Sequence, residues 1–450
     1  MEQGNHNSPS STPHPQFGEF DEIRPYEASE MRQAFDELLA DRQFNTILKG
    51  FAPWLPKGMR NSMLRLAFTG VKTPLDFQLR FMKPVVWHIV RKHTDGLTFD
   101  DKAMAECCEE SVINTPELPD ADNGTAQGNQ NYKLDTINYK LDKRYTFVSN
   151  HRDIVLDSAF LDILLNKHGY PTTVEIGIGD NLLIYPWIKR LVRMNKAFTV
   201  RRGLTAHEMM RSSQLMSRYI HYAVTQKHEN IWIAQREGRA KDSSDQTQEA
   251  VLKMLAMGGE LSELNIVPLT ISYEYDPCDY LKAQEMQLKR DDPGYKKSRQ
   301  DDLDNMRIGI LGYKGRVHYH CGTPINQWLP QIAGLPRNLF FAQLASRMDR
   351  EIHAGYRLFP GNYIAYDMLH KGKGQQASSD STQDGLSDNN GNQNYKPFTD
   401  HYTPHDCERF EHYLEGQLAK ISIPGKDEAF LRERMLTMYA NPVRNYLATL

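Results

Sequence analysis

Tyr145-Thr-Phe-Val-Ser-Asn-His-Arg-Asp-Ile-Val-Leu-Asp-Ser-Ala-Phe-Leu-Asp-Ile-Leu-Leu165 is the stretch from which the rest of the chain can be read. Its first five residues form a short β-branched and aromatic run, the pattern of a buried strand. Its last seven, Ala159 to Leu165, are nearly all apolar and read as a helix packed on that strand. Between them lies a polar loop holding His151, Asp153 and Asp157. A histidine in a strand-to-helix loop, with carboxylates two and six residues on, can have one ring nitrogen oriented by a carboxylate while the other faces a substrate. That is half of a catalytic triad without a nucleophile. The alternative is a surface loop whose aspartate caps the following helix.

Outward from this unit the pattern repeats. Thr173–Ile178, Phe198–Arg201, Asn230–Ala234, Ile266–Tyr273 and Arg316–Cys321 are further strand-like runs. Pro268 lies inside one of them, which predicts an edge, a bulge or a strand start. Helical segments separate most of the strands. Thr205 to about Lys227 opens on the capping-box pattern Thr205-Ala-His-Glu208 and carries a stripe with Met209, Met210, Leu215, Met216, Tyr219 and Ile220, read as core in preference to an acyl groove. A further helix runs from about Gln246 to a stop at Gly258-Gly259. Strands alternating with helices predict the α/β class, a layered architecture with added helical segments at both ends. Glu27–Phe44, with Met31, Phe35, Leu38 and Leu39 on one stripe, and Leu339–His353 are those flanking helices.

The chain of 450 residues divides on this reading into a disordered tail (1–20), an N-terminal helical region (21–115), a linker (116–142), a core (143–322), a helical extension (323–370), a second disordered linker (371–396) and a C-terminal helical segment (397–450). Both linkers are polar and rich in Gly, Asn, Gln and Asp, so they bury too little apolar area to offset the entropy of ordering. A net charge of −3 excludes a globally basic nucleic-acid binder, and no nucleic-acid partner is expected. With mean hydropathy −0.62 and no apolar run near the roughly 18 residues of a membrane span, a transmembrane chain is not expected either. Five cysteines without a regular framework, and an N-terminus with neither basic start nor apolar core, point to a reducing cytoplasm.

Three further clusters carry chemistry. From Lys189 to Arg202 there are six positive residues and no acidic one, ending in Arg201-Arg202, whose guanidinium forks suit phosphate oxygens; a solvated basic face is the alternative. Asn230–Ala234 runs into Gln235-Arg-Glu-Gly-Arg239, where Gly238 permits a sharp turn that presents Glu237 and Arg239 at the sheet rim. His318 and His320 share one strand face but lack a companion at metal-ligand spacing, so no metal is assigned.

Taken in order, Asn150-His151…Asp157, Ala197-Phe-Thr-Val-Arg-Arg202, Glu237-Gly-Arg239 and Ile266-Val-Pro-Leu-Thr-Ile-Ser-Tyr-Glu274 resemble the four blocks of the glycerolipid acyltransferase superfamily. The likeness covers about residues 145–322 and is strongest to the bacterial membrane glycerol-3-phosphate acyltransferases. Two departures stand out: five residues separate His151 from Asp157 where the family has four, and Gly238 is followed directly by Arg239. The family's aspartate is carried to Asp157, because the apolar helix follows it there, with Asp153 as the rival.

The resemblance implies an acyltransferase-type mixed sheet flanked by helices, and an O-acyltransferase in which His151 is the general base, Asp157 orients it, and Arg201, Arg202, Glu237, Gly238 and Arg239 form the acceptor-phosphate region. It implies no cofactor and no metal. The donor would be acyl-CoA or acyl-carrier protein, and the acceptor glycerol 3-phosphate or its 1-acyl derivative, a phosphorylated glycerol or lysophospholipid. A non-catalytic lipid-binding homologue and an acyl thioesterase are the alternatives. Lys57 to Lys92 carries eight basic residues against Asp76 alone, interleaved with Met59, Met63, Leu66, Phe68, Phe77 and Trp87. Such a segment suits an anionic membrane surface, which predicts a peripheral location on the cytoplasmic face; helices packed on the core are the rival.

Overall fold

The computed structural model describes residues 17–51, 56–109, 143–374 and 396–450. Seven strands form one sheet in the order β1-β7-β6-β2-β5-β3-β4: β1 Gly96–Asp100, β2 Thr146–Ser149, β3 Val174–Gly179, β4 Ala197–Val200, β5 Asn230–Ala234, β6 Ile266–Tyr273 and β7 Arg316–Cys321. Every neighbouring pair is parallel except β6 with β7, so the sheet is mixed, as the resemblance implied. Parallel neighbours need crossovers, and helices supply them. In chain order the helices used below are α1 Met31–Ala40, α2 Arg42–Phe51, α3 Lys57–Phe68, α4 Lys83–His93, α5 Lys102–Glu109, α6 Leu156–Lys167, α7 Pro186–Met194, α8 Ala206–Thr225 and α9 Glu249–Leu255. After β6 come α10 Asp279–Asp291, α11 Arg299–Leu311, α12 Arg337–Ala354, α13 Pro360–Gly374, α14 Pro404–Leu418 and α15 Glu428–Leu447.

Successive strand residues point to opposite faces, and the two faces bury different cores. Phe147 and Trp232 join Phe160, Leu164, Ile176, Leu269 and Ile271 on the α6 face. Val148, Ile231 and Ile233 join Phe198, Ile220, Leu252 and Met348 on the other. A third cluster, with Tyr275, Phe410, Leu414, Leu431, Met435 and Tyr439, binds the C-terminal helices onto the end of β6. A fourth packs Met31, Phe35, Leu38 and Leu39 of α1 on Phe68, Phe77 and Met194.

Several expectations need correction. The region 21–115, read as helical, contributes β1, which pairs with β7 from Gly96↔Arg316 to Asp100↔His320. Five residues carry almost no periodic signal, and the open edge of β7 decides their conformation. The Glu27–Phe44 pattern is two helices, because the Asp41 carboxylate accepts the Gln43 and Phe44 N–H groups and starts α2. Pro268 sits in a central strand, not at an edge. Its carbonyl accepts from Gly322 just beyond the β6–β7 pairing, so its missing N–H falls where the ladder ends. The tail assigned to 1–20 ends earlier, since Phe17–Glu19 form a 3₁₀ turn and Phe20 is buried against Tyr219. Met209 and Met210 are more than half exposed, at 56% and 52%, so the core stripe of α8 begins only further along the helix. Residues 110–142 and 375–395, which hold most of both linkers, and residues 1–16 lie outside the described residues.

Candidate active site

The carboxyl ends of β2, β5, β3 and β4 leave the sheet on one rim, because Ser149 lies beside Ala234 and Gly179 beside Val200 in parallel register. The loops that follow carry His151, Glu237–Arg239, Asp180 and Arg201-Arg202 respectively. Such a rim is where parallel sheets gather ligand groups.

His151 follows β2 directly. Its Nδ1 lies 2.8 Å from Asp157 Oδ2, and its side chain is 14% exposed while that of Asp157 is fully buried. The same oxygen accepts the backbone N–H groups of Arg152 at 2.7 Å and Asp153 at 3.1 Å, while Oδ1 accepts the Tyr273 hydroxyl at 3.1 Å. Asp157 is the second residue of α6, so the positive end of that helix also favours its charge. Burial, with Tyr319 and Asp157 beside it, raises the Tyr273 phenol well above its ordinary range, which keeps it a donor. Trp232 floors the histidine, its ring edge-on at 5.6 Å, and is itself fixed by donating to Ser149 Oγ at 3.0 Å. The ring nitrogen Nε2 has no partner among the described residues, and faces away from the dyad.

Asp153 is employed differently. Its Oδ1 accepts the Val155 and Leu156 N–H groups, both at 2.8 Å, and so caps the start of α6. This turn takes up the extra residue between His151 and Asp157. Gly309 of α11 packs directly on the Asp153 carboxylate, where a methyl group would overlap it. Burial, then the neighbouring Asp157 charge, raises the Asp153 carboxyl. The imidazole therefore faces Asp157 and not its rival.

Arg202 leaves β4 and reaches back across the rim. Its N–H donates to Asp180 Oδ1 at 3.0 Å, and Nη1 pairs with Glu237 Oε1 at 2.7 Å. Two strands lie between β4 and β2, a span of about 14 Å between strand axes; the Arg202 side chain packs over Gly179 at the end of β3, and its guanidinium meets the β5 loop at Glu237. Glu237 is 68% exposed and Arg202 30%, so the pair is a weak, displaceable one. Gly238 has φ +68°, a left-handed turn that swings Arg239 toward α11. There Arg239 Nη2 donates to Asn305 at 2.9 Å, while Nη1 is buried without a hydrogen-bond partner among the described residues. Arg201 points elsewhere, to Glu22. The structure thus brings together His151 with Asp157 and Arg202 with Glu237, and separates Arg201 from both.

Sequence reasoning passed over Tyr273, Asn150 and Asn305 as individual site residues. Asn150 holds the His151 loop to β6, accepting Ile271 N–H at 2.7 Å and donating to Ile271 O at 3.0 Å. A polar side chain directly before the histidine was the available signal. Nothing local marks Asn305, which lies on a helix remote in sequence. His318 and His320 turn to the edge strand: His318 Nδ1 is 2.8 Å from Thr98 Oγ1, and His320 faces Asp100.

Residues 128–272 match the family model described as acyltransferase, a segment that includes the His151 loop, the Arg202 turn and Glu237–Arg239. Among solved structures the chain is similar to the 1-acyl-sn-glycerophosphate (LPA) acyltransferase of Thermotoga maritima, at 13% identity over 48% of this chain and 69% of that one, with a TM-score of 0.28. No curated protein matches it.

Proposed function

We propose that the chain, whose residues 128–272 match the acyltransferase family model, is a glycerolipid acyltransferase that moves a fatty acyl group from acyl-CoA or acyl-carrier protein to a hydroxyl of glycerol 3-phosphate or 1-acylglycerol 3-phosphate. The observation that carries this reading is the His151–Asp157 dyad at the rim from which Arg202 and Arg239 also project.

In the proposed reaction the acceptor hydroxyl lies against His151 Nε2. That nitrogen takes the hydroxyl proton as the oxygen attacks the thioester carbonyl, and the imidazolium is stabilised by Asp157. The tetrahedral intermediate collapses with loss of the thiolate, which takes the proton back from His151 and leaves as the thiol. Positioned general-base catalysis of this kind contributes about 10²–10⁴-fold. Arg202 and Arg239 hold the acceptor phosphate: phosphate displaces the exposed Glu237 from Arg202, and the guanidinium of Arg239 supplies further positive charge.

Membrane attachment is assigned to α3. Within 57–92 the structure separates inward residues, Arg60, Phe68, Phe77, Val86 and Val90, from the outward Met59, Met63 and Leu66, which are 54%, 57% and 76% exposed and recur at one-face helical spacing. Lys57 and Arg65 of the same helix are also exposed, which suits an anionic, cytoplasmic-side bilayer surface. Among the described residues no helix is long and apolar enough to cross a membrane.

The test is an assay of purified protein with labelled acyl-CoA or acyl-carrier protein against glycerol 3-phosphate, lysophosphatidate, other lysophospholipids and no acceptor. Product formed only with a phosphorylated glycerol acceptor is expected. Release of free fatty acid without acceptor would instead identify a thioesterase.

A further inference from the structure

Both sequence neighbours of His151 are tied to one carboxylate that no motif includes. Arg152, 7% exposed, forks onto Asp245, with Nη2 at 2.6 Å from Oδ2 and Nη1 at 3.3 Å from Oδ1. Asn150, fully buried, donates from Nδ2 to the same Oδ2 at 3.3 Å. Asp245 is itself 1% exposed and held at φ +47°, with Ser243 at φ +58° two residues earlier. Left-handed backbone at non-glycine residues costs about 1–3 kcal/mol and persists only where surrounding contacts over-determine it.

Those contacts come from outside the acyltransferase match, which ends at residue 272. The Tyr356 hydroxyl donates to Asp245 Oδ2 at 2.6 Å, and His353 Nε2 meets the Asp245 carbonyl at 3.0 Å. From α15, Asn441 donates to the Asp242 carbonyl at 2.7 Å and Asn445 to that of Ser244 at 3.1 Å. From α12, Asp349 accepts the Thr247 N–H at 2.7 Å. The helical extension therefore grips the 242–247 loop, and that loop grips the residues on either side of His151.

We infer that Asp245 is a positioning residue for His151, and that the C-terminal helices, through Tyr356, His353, Asn441 and Asn445, set the placement of the general base. This rests on the reading of His151 as that base. Asp245 touches neither the imidazole nor Asp157 in any described contact, so its effect runs through the backbone of residues 150–152. A buried ion pair with ordered partners is well suited to fixing one conformation, even where it adds little stability.

The experiment compares wild type with Asp245→Asn, Tyr356→Phe and the double variant Arg152→Met/Asp245→Asn, in full-length protein. The double variant leaves no unpaired buried charge, so it stays informative where Asp245→Asn alone fails to fold. Two readouts are taken. In 15N-histidine-labelled protein, the downfield proton of the His151 Nδ1–H, assigned by its loss in His151→Gln, should broaden or vanish in the Asp245 variants although Asp157 is intact. In the transfer assay, kcat should fall about 10–100-fold in the Asp245 variants and about 3–10-fold in Tyr356→Phe, with both KM values within about 3-fold. The conservative Asp245→Glu should recover part of kcat. A folded double variant with an unchanged His151 signal overturns the inference, as does a loss confined to KM. Because the proton signal needs no turnover, a wild type without transferase activity would refute the proposed function while this readout still decides the role of Asp245.

Discussion

Replacing Asp157 by asparagine is the most instructive perturbation, because the structure specifies what the amide can and cannot keep. Asp157 Oδ2 accepts from His151 Nδ1 and from two backbone N–H groups, and Oδ1 accepts from Tyr273. The backbone donors cannot move without unwinding the loop, so the asparagine oxygen must occupy the Oδ2 position and its NH₂ must face Tyr273, whose hydroxyl can turn to accept. His151 then still donates from Nδ1, and Nε2 remains the basic nitrogen. What disappears is the negative charge beside an imidazolium formed during transfer. Two unit charges about 4 Å apart attract by about 4 kcal/mol at an effective dielectric of about 20, a suitable value for a dyad with one fully buried member. At about 1.36 kcal/mol per decade this is about 10³-fold in rate. We therefore expect kcat to fall about 10²–10³-fold with melting temperature and substrate KM nearly unchanged, measured by thiol release and by chromatography of the lipid product. Asp153→Asn should cost only a few-fold, since its single capping oxygen survives. Activity of Asp157→Asn within about 3-fold of wild type, or a larger loss in Asp153→Asn, would refute the reasoning.

Three other outcomes follow from the same contacts. Arg202→Ala and Arg239→Ala should raise the acceptor KM about 10–100-fold, from about 1.5–3 kcal/mol of lost charge-assisted contact, and leave the donor KM unchanged; equal effects on both substrates would remove the phosphate assignment. Asp162, buried where it accepts from Val174 N–H and Gln78, has its carboxyl pushed up to about 7 by that burial, from 3.8. The native state thus holds a proton the unfolded chain has lost, so this group's stabilisation is full below about pH 4 and is lost as pH rises through about 7. Denaturation at about pH 5 and pH 8 should show a pH-dependent loss of stability that Asp162→Asn reduces, and identical slopes would contradict the assignment. Met63→Glu and Leu66→Glu should weaken binding to anionic vesicles in a flotation assay without altering the melting temperature, whereas unchanged flotation would exclude α3 as the membrane contact.

What could be read from sequence was what is local. The β2–loop–α6 unit was legible because a β-branched run, a polar loop and an apolar helix adjoin, and the Thr205–Glu208 capping box forms as its spacing requires. The choice between Asp157 and Asp153 was not decided by spacing, since both flank the same turn; it is decided by which carboxylate the backbone N–H groups of residues 152 and 153 enclose. The strand Gly96–Asp100 was invisible because its partner, β7, is over two hundred residues away. Asp245 was invisible for a related reason. Its function depends on a left-handed backbone and on Tyr356 and His353, neither of which leaves a trace in the residues around it. The α3 segment looked uniformly amphipathic, and only packing separates its buried Arg60 and Phe68 from its exposed Met59, Met63 and Leu66.

The central claim is that His151 is the base for transfer to a phosphorylated glycerol hydroxyl. Its most direct test is the rate of labelled acyl transfer to glycerol 3-phosphate and to lysophosphatidate by His151→Ala, beside wild type, at matched folding judged by circular dichroism. The account predicts acceptor-dependent product with wild type and a loss of at least about 10²-fold in the variant. Transfer by a folded His151→Ala at the wild-type rate would contradict it.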